Sequence, residues 1–409
     1  MKHLAIFTPL PPSASGIGQY SAELLPELAK GYQLTVVIAD DAPPPDPVPM
    51  GIIVCRASAF AAAHPAVDAH LYHVGNSPEH AYILDWAERE PGICVLHDVT
   101  LQHLQVWRAL HGGATAAASY RTEMGRRYGA DGTAAADALL ANRSPALPYA
   151  AIPLCEQIVE RSVATIVHSD YAADAVRRHC PGAAVAVVPH GVPLLPQGDR
   201  ATARAALSLP ADAVIVAALG NLIPEKRLEV ALAAFARALY SLPEALFVVA
   251  GAGSQHYDPH TFARAHGLEP VTRWLGRVAA EEFETLLIAA DLCVNLRWPT
   301  GGETSGSLLR MLAAGRATLV TATGSFAEVP PDACITVPLG PDEETTIVRA
   351  IVRAGHERAW PDQIGARARA FVAEKHSFAQ AVAGYGTVIE HVLSRYDAAQ
   401  VRRLRPRIY

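Results

Sequence analysis

The chain has 409 residues, of which 51% are hydrophobic and 18% are charged, and its formal net charge at pH 7 is −6. This composition excludes an intrinsically disordered chain, and the negative charge argues against a general nucleic-acid-binding protein, which is usually basic. The length exceeds that of one typical domain and predicts two.

Six cysteines stand singly, with no CxxC pair and no Cys/His spacing typical of a metal site. They indicate reduced, buried thiols in a cytoplasmic protein. The first apolar run is too short for a signal peptide, and no run of about 18 apolar residues predicts a transmembrane helix. The basic segment 402–407 is either a plain chain end or a peripheral contact with anionic lipid at the inner membrane face.

The first half of the chain alternates apolar, strand-like runs with helix-like segments, one of which spans about 107–140. This alternation predicts a parallel, doubly wound α/β sheet that binds ligands at the carboxyl ends of its strands. The predicted strands lie at 4–7, 34–39, 52–55, 69–74, 93–96, 163–168 and 184–188.

A glycine-containing stretch, Ser15-Gly16-Ile17-Gly18, follows the first predicted strand. It lacks the full G-x-G-x-x-G dinucleotide fingerprint. Gly16 and Gly18 therefore indicate either a flexible loop beside a cleft or a plain tight turn.

His97 and Asp98 follow the predicted strand 93–96 directly, and His103 comes shortly after them. A charged, hydrogen-bonding pair at the carboxyl end of a strand is typical of a binding site. His73 follows the same logic on another strand, but a structural role is favoured there.

Prolines and glycines concentrate at 189–198, which indicates a linker with the domain boundary near Pro196. The second half repeats the alternation, with strands predicted at 213–219, 245–250, 272–275, 291–296 and 317–321. We expect a first domain at 1–195, a second at 196–375, and a last helix within 376–409 that packs back across the junction.

The second half carries a candidate diphosphate pocket. It combines a cationic loop after one strand, a glycine-rich turn after the next, and a helix that begins with small hydroxyl residues, whose free N–H groups suit phosphate. Helix capping alone is the alternative for those hydroxyls. Glu303 would be repelled by phosphate and suits sugar hydroxyls instead. The pocket candidates are Asn221, Lys226, Arg227, Gly251, Gly253, Thr304, Ser305, Gly306 and Ser307.

Six stretches, in their order and spacing, resemble the retaining, GT-B-fold glycosyltransferases of family four, in a subgroup with a Gly-Glu-Thr-Ser-Gly-Ser motif. The resemblance covers nearly the whole chain. It implies two Rossmann-like domains that face each other across a cleft, the first binding the acceptor and the second the donor. The stretches are 11–20, 96–98, 187–192, 220–226, 274–277 and 302–315.

The resemblance also implies the reaction. A sugar moves from a UDP- or GDP-sugar to a hydroxyl of a glycan or lipid-linked acceptor, with retention of configuration, in surface polysaccharide or glycolipid synthesis. Lys226 and the 304–307 amides stabilise the leaving diphosphate, so no cofactor or metal is needed. By the same resemblance, His97 lies near the transferred sugar and Glu303 binds the hydroxyls of that sugar. Gly16 and Gly18 let a loop close over the diphosphate, and Gly276 and Val278 lie near the base. The acceptor-side candidates are Asp98 and His103.

Two departures from the family pattern are present. The second glutamate of the family signature is missing, since its position falls on Met311 or, with the alignment anchored at Gly315, on Arg310. Asn221 occupies the position of a phosphate-binding arginine, and Arg227 is the candidate to replace it. A non-catalytic nucleotide-sugar-binding protein is therefore the main alternative, whereas a nicotinamide-dependent oxidoreductase would need a phosphate-binding fingerprint in the first domain.

Overall fold

The computed structural model describes residues 1–13, 15–47, 50–63, 65–253 and 257–395. Over these residues the chain forms two compact units. The first contains Met1–Gly191, Gly301–Thr304 and the last described helix, which begins at Phe378. The second contains Val192–Thr300 and Ser305–Ser377. The basic segment 402–407 lies outside the described residues.

The described part of the first unit is built on a parallel sheet. Its strands are β1 (His3–Phe7), β2 (Gln33–Ile38), β3 (Ile53–Arg56), β4 (Ala69–Val74), β5 (Ile93–Leu96), β6 (Ala164–Val167) and β7 (Val185–Val187), in the order β3-β2-β1-β4-β5-β6-β7. In β1, Leu4 and Ile6 join one core cluster, and Ala5 and Phe7 join another. Both faces of the sheet are therefore buried, which is why its strands read as continuous apolar runs.

Helices connect these strands. They are α1 (Gly16–Leu28), α2 (Ala57–Ala63), α3 (Ala81–Ala87), α4 (Gln102–His111), α5 (Gly113–Leu140), α6 (Glu156–Arg161) and α7 (Asp170–His179). The predicted helical segment 107–140 thus forms the end of α4 and all of α5. Gly129, with φ 67° and ψ −151°, kinks α5, because this conformation suits glycine and interrupts the helix.

The second unit repeats the design with a second parallel sheet. The strands are β8 (Ile215–Leu219), β9 (Leu246–Ala250), β10 (Thr272–Gly276), β11 (Leu292–Asn295), β12 (Ala317–Thr321) and β13 (Ile335–Val337), in the order β10-β9-β8-β11-β12-β13. The helices are α8 (Arg200–Ala206), α9 (Leu228–Ala238), α10 (Pro259–Ala265), α11 (Ala280–Ala289), α12 (Gly306–Ala313), α13 (Glu343–His356) and α14 (Ala359–Lys375).

The last described helix, α15 (Phe378–Arg395), belongs to the first unit. Tyr385 and Ile389 on this helix are fully buried in the same core cluster as Leu4 and Leu24. The Tyr20 hydroxyl donates to the Tyr385 hydroxyl at 3.3 Å. The prediction of two parallel, doubly wound α/β domains is therefore confirmed. Across the described residues, we find no helix with the length and apolarity needed to cross a membrane.

The tetrapeptide 301–304 belongs to the first unit, whereas the sequence-based domain division placed it in the second domain. The backbone N–H of Thr100 donates to the carbonyl of Gly301 at 2.9 Å. Gly302, with φ 82°, lies so close to Val99 that a Cβ at this position would be 2.7 Å from Val99 Cγ2. These contacts explain why the tetrapeptide joins the first unit.

A buried ion pair joins α8 to β8 and β11 in the second unit. The Asp291 carboxylate accepts hydrogen bonds from Arg204 Nη2 and from the backbone N–H of Ile215, both at 2.7 Å. Only 3% of the Asp291 side chain and 4% of the Arg204 side chain are exposed. Removal of the Asp291 carboxylate would leave the Arg204 charge buried without its carboxylate partner.

We expect Asp291→Ala to lower the free energy of unfolding of the second unit by about 3–5 kcal/mol, because Arg204 would lose its partner inside the protein. The matched control is Glu357→Ala, which breaks the solvent-exposed Arg353–Glu357 pair and should move the urea midpoint little. Urea unfolding followed by circular dichroism measures both variants. Equal, small shifts in the two midpoints would contradict the prediction.

Candidate functional site

The loop after β8 brings Lys226 back over the end of its own strand. The ammonium Nζ of Lys226 donates to the carbonyl of Leu219 at 3.3 Å. A Cβ on Gly220, which has φ 102°, would lie only 2.3 Å from that Nζ. Glycine at 220 is therefore needed twice, for the backbone conformation and for the space that the ammonium occupies.

Two glycine turns pack backbone against backbone at this edge of the sheet. A Cβ on Gly251 would lie 2.0 Å from the carbonyl oxygen of Gly220, so no larger residue fits there. The N–H of Gly251 donates to the carbonyl of Gly276 at 2.7 Å, which ties the ends of β9 and β10 together. Gly253 has open space around its Cα. Asn221 is exposed, and Val278 is half-buried.

The start of α12 completes the cluster. Ser305 is the N-cap residue, and its Oγ accepts from the N–H of Leu308 at 3.2 Å, so the capping interpretation holds for this residue. The Oγ of Ser307 accepts from Asn295 Nδ2 at 3.2 Å and lies 3.6 Å from the position of a Cβ on Gly220. Lys226, Gly220 and the first turn of α12, which begins at Gly306, therefore meet within the second unit.

Arg227, the candidate to replace the missing phosphate-binding arginine, is paired with a carboxylate. Its backbone lies in the left-handed region, with φ 52°. Its guanidinium forms a two-pronged pair with the Glu343 carboxylate, in which Nε donates to Oε1 at 2.8 Å and Nη2 donates to Oε2. Because Glu343 is buried, this pair compensates the Arg227 charge within the second unit.

Positions 310 and 311 are the two candidates for the site of the missing second glutamate. Met311 is fully buried in a core cluster with Leu287 and Ala314, so its position faces apolar side chains. Arg310 precedes it and is half-buried. Neither alignment therefore places a carboxylate at the position of the family glutamate: one gives a buried methionine and the other a half-buried arginine.

Glu303 and Thr304 precede α12 within the tetrapeptide of the first unit. The Glu303 carboxylate accepts from the backbone N–H of Gly301 at 2.7 Å, which folds the side chain back over its own turn. The Oγ1 of Thr304 is buried and has no hydrogen-bond partner among the described residues.

In the first unit, four histidines lie at the carboxyl ends of four successive strands. His73 lies in β4, and His97, His168 and His190 follow β5, β6 and β7. His73 Nδ1 and His97 Nε2 are 3.0 Å apart and hydrogen-bonded. The ring centroids of His97 and His168 are 4.8 Å apart, and those of His168 and His190 are 5.4 Å apart.

Sequence reasoning assigned a site role to His97 alone among these four. The available signal was their shared position, since three of them lie in or directly after an apolar run and His190 follows one after a single proline. Tyr20 packs on the cluster, with its ring centroid 4.1 Å from that of His190.

Burial keeps the imidazoles of His73, His97 and the neighbouring His80 neutral at pH 7. It lowers the pKa of His73 to about 3 and the pKa of the neighbouring His80 to about 4. Burial, together with the nearby His168, also holds the pKa of His97 well below its usual value. At neutral pH, His97 is therefore an uncharged hydrogen-bonding group.

The other first-unit candidates are placed separately. The Asp98 carboxylate accepts from the backbone N–H of Asn76 at 2.8 Å. His103 is exposed and packs edge-on against Tyr149.

The stretch 15–18 is neither a flexible loop nor a plain turn, because Ser15 is the N-cap of α1 and its side chain accepts a hydrogen bond from the N–H of Gly18 at 3.2 Å. It forms the first turn of a helix, in which Gly16 has open space and Gly18 approaches the carbonyl of Pro9.

We expect the first unit to lose stability as the pH falls below about 6.5, the ordinary pKa of histidine. Below that pH the histidines of the unfolded chain bind protons, whereas the same histidines stay unprotonated while they are buried in the folded chain. For each such histidine, the free energy of unfolding should fall by about 1.4 kcal/mol per pH unit until the pH reaches the folded-state pKa. Urea unfolding at pH 7.0, 6.0 and 5.0 tests this. His266→Gln, which removes an exposed histidine, should leave the slope unchanged; a flat profile between pH 7 and 5 would refute the expectation.

Comparison with known sequences gives matches to parts of the chain. Residues 199–371 match the family described as "Glycosyl transferases group 1". A segment of 150 residues is 35% identical to D-inositol 3-phosphate glycosyltransferase of Saccharomonospora viridis, and the match covers 34% of this chain and 35% of that protein. The chain therefore spans about a third of the length of this curated relative.

Comparison with solved structures covers nearly the whole chain. Sucrose-phosphate synthase of Thermosynechococcus elongatus superposes with a TM-score of 0.71 at 16% identity, over 97% of this chain and all of that chain. Anabaena HepE, in complex with UDP and glucose, gives a TM-score of 0.65 at 14% identity, over 96% of this chain and all of that chain. WaaG, a glycosyltransferase involved in lipopolysaccharide biosynthesis, gives 0.64 at 14% identity, over 94% and 99%.

At these identities the structural likeness establishes the fold alone, and the family match is confined to residues 199–371. The chain has the GT-B fold, and its residues 199–371 match the sequence pattern of the group 1 glycosyltransferases.

Proposed function

We propose that this protein transfers a sugar from a nucleoside diphosphate sugar to an acceptor hydroxyl. The observation that carries the proposal is the meeting of Lys226, Gly220 and the first turn of α12 at the carboxyl ends of β8 and β11. An ammonium group beside a helix N-terminus provides a point charge and free N–H groups, which suit a diphosphate. The cluster lies within the segment that matches the family.

The catalytic contribution of this cluster would be electrostatic. Negative charge grows on the diphosphate as the bond to the sugar breaks, and Lys226 with the amides of 305–307 would stabilise it. A donor of this kind contributes roughly 3 kcal/mol to lowering the barrier. The Arg227–Glu343 pair would act indirectly, since it fixes the residue next to Lys226 in its left-handed conformation.

The finer features of the reaction rest on the family resemblance. The acceptor attacks from the face that the diphosphate leaves, and a departing phosphate oxygen takes its proton, so the configuration is retained without a protein nucleophile. Glu303 binds sugar hydroxyls, and the uncharged imidazole of His97 donates a hydrogen bond near the transferred sugar. Gly276 and Val278 lie near the base, and Asp98 and His103 lie on the acceptor side.

The substrate class follows by analogy with the compared proteins. HepE was solved with UDP and with UDP-glucose, which supports a UDP-sugar as the first donor to test, with a GDP-sugar as the second. WaaG is described as acting in lipopolysaccharide biosynthesis, which supports a glycan or lipid-linked acceptor for a surface polysaccharide or glycolipid. Such a protein would work in the cytoplasm, in peripheral contact with the inner membrane face.

A second candidate is a non-catalytic nucleotide-sugar-binding or scaffold protein. It is favoured by two observations, the exposed Asn221 at the position of the family arginine and the absence of a carboxylate at 310 or 311. Such a protein would bind the donor and never release a free nucleotide from it.

The deciding experiment is calorimetric binding of UDP, GDP, ADP and dTDP and of their common sugar conjugates, followed by nucleotide release from the conjugate that binds. We expect Lys226→Ala to lower turnover about a hundredfold or more, through loss of leaving-group stabilisation. Lys375→Ala, which removes an exposed lysine of the same unit, is the control. Unchanged turnover in Lys226→Ala would remove this residue from the site, and binding without turnover in the wild type would favour the scaffold.

We also propose that the transfer needs no metal ion, because Lys226 and the helix amides would neutralise the diphosphate themselves. The rate of sugar transfer should therefore be the same in 5 mM EDTA, roughly a hundredfold excess over any carried-over metal, as in buffer with Mg²⁺ or Mn²⁺. A rate that EDTA abolishes and a divalent ion restores would show that the proposal is wrong.

A further inference from the structure

An exposed tryptophan lies beside the lysine loop and has no part in the function proposed so far. Trp298 follows β11, and 49% of its surface is exposed. Its backbone N–H donates to the carbonyl of Glu225 at 2.8 Å, and Glu225 directly precedes Lys226. The backbone of Trp298 is thus hydrogen-bonded to the segment that carries the ammonium.

The exposure of this ring is not the result of a loosely held loop. The preceding residue, Arg297, is 8% exposed, and its N–H donates to Thr321 Oγ1 at 3.0 Å. Its guanidinium carbon lies 5.5 Å from the centroid of the Phe326 ring, within the range of a cation–π contact. The chain is therefore tied to β12 on one side of Trp298 and to the lysine loop at Trp298 itself. A ring on a fixed backbone loses little conformational freedom when it binds a ligand.

The strand order decides which part of a nucleotide sugar would meet this ring. The strands run β10-β9-β8-β11, with neighbours about 4.8 Å apart. In the proposed function, the base lies at the end of β10 by Gly276, and the diphosphate lies at the end of β8 by Lys226. These two positions are separated by roughly 10 Å, two strand spacings. Trp298 follows β11, one strand further on the side of the diphosphate opposite to the base, where the sugar is attached.

We propose that Trp298 stacks against the apolar face of the donor sugar ring. A pyranose carries C–H groups on its faces and hydroxyls at its rim, so an aromatic ring can cover a face while the hydroxyls stay free for polar groups. The indole face is negatively polarised and attracts such C–H groups, and tryptophan offers the largest ring for this contact. The inference rests on the proposed function and adds a determinant of which sugar is accepted.

The test compares each nucleotide with its own sugar conjugate, using UDP with UDP-glucose and UDP-N-acetylglucosamine, and GDP with GDP-mannose. Titration calorimetry on the full chain gives the affinity gained from the sugar. We expect the wild type to bind one conjugate more tightly than its nucleotide, and Trp298→Ala to lose roughly tenfold in affinity for that conjugate and nothing for the nucleotide. Trp298→Phe, which keeps a smaller ring, should retain most of the gain.

Tyr240→Ala is the matched control, because Tyr240 is an aromatic residue of the same unit with 92% of its surface exposed. It should change neither affinity. If Trp298→Ala weakens the nucleotide and its conjugate equally, or weakens neither, the stacking proposal is overturned while the proposed function stands. If the wild type binds no nucleotide and no conjugate, the proposed function falls, and the role of Trp298 falls with it.

Discussion

The close approach of two backbone turns is the constraint on which the candidate site depends. The carbonyl of Gly220 occupies the space that a side chain at position 251 would need, and the Lys226 ammonium occupies the space that a side chain at 220 would need. Because glycine at both positions leaves these spaces open, the ends of β8 and β9 can approach each other closely, with the Lys226 ammonium beside them. The same closeness brings Ser307, at the start of α12, to the edge of the cluster. A small anion could therefore meet a cation and backbone N–H groups at once, with few side chains between.

The two units differ in the charge of the groups at the carboxyl ends of their strands. The second unit presents an ammonium and a helix start, and it uses the buried Glu343 to hold the neighbouring guanidinium. The first unit gathers four histidines, and burial keeps at least His73 and His97 uncharged. A neutral imidazole can donate one hydrogen bond and accept another, which suits an uncharged sugar hydroxyl better than a phosphate.

Much of the fold could be predicted from the sequence, because strands buried on both faces produce continuous apolar runs, such as 93–96 and 317–321, that stand out between helices. The lysine loop and the serine-rich helix start could be predicted too, since each is a local pattern. The pairing of Arg227 with Glu343 could not be, because 116 residues separate them. The same holds for the tetrapeptide 301–304, which joins the first unit through Thr100, and for the histidine cluster, which depends on strand order. Long-range contacts of this kind leave no periodic signal.

The return of α15 to the first unit has a consequence for the order in which the protein is made. The core that contains Leu4 and Leu24 is completed by Tyr385 and Ile389, which leave the ribosome only after the entire second unit has been synthesised. Until then, the first unit carries an uncovered apolar surface on α1 and β6. Exposed apolar surface of this kind invites association between nascent chains, and it gives chaperones a defined binding region. Completion of the first unit is thus deferred until the second unit has been synthesised, which couples the maturation of both units to α15.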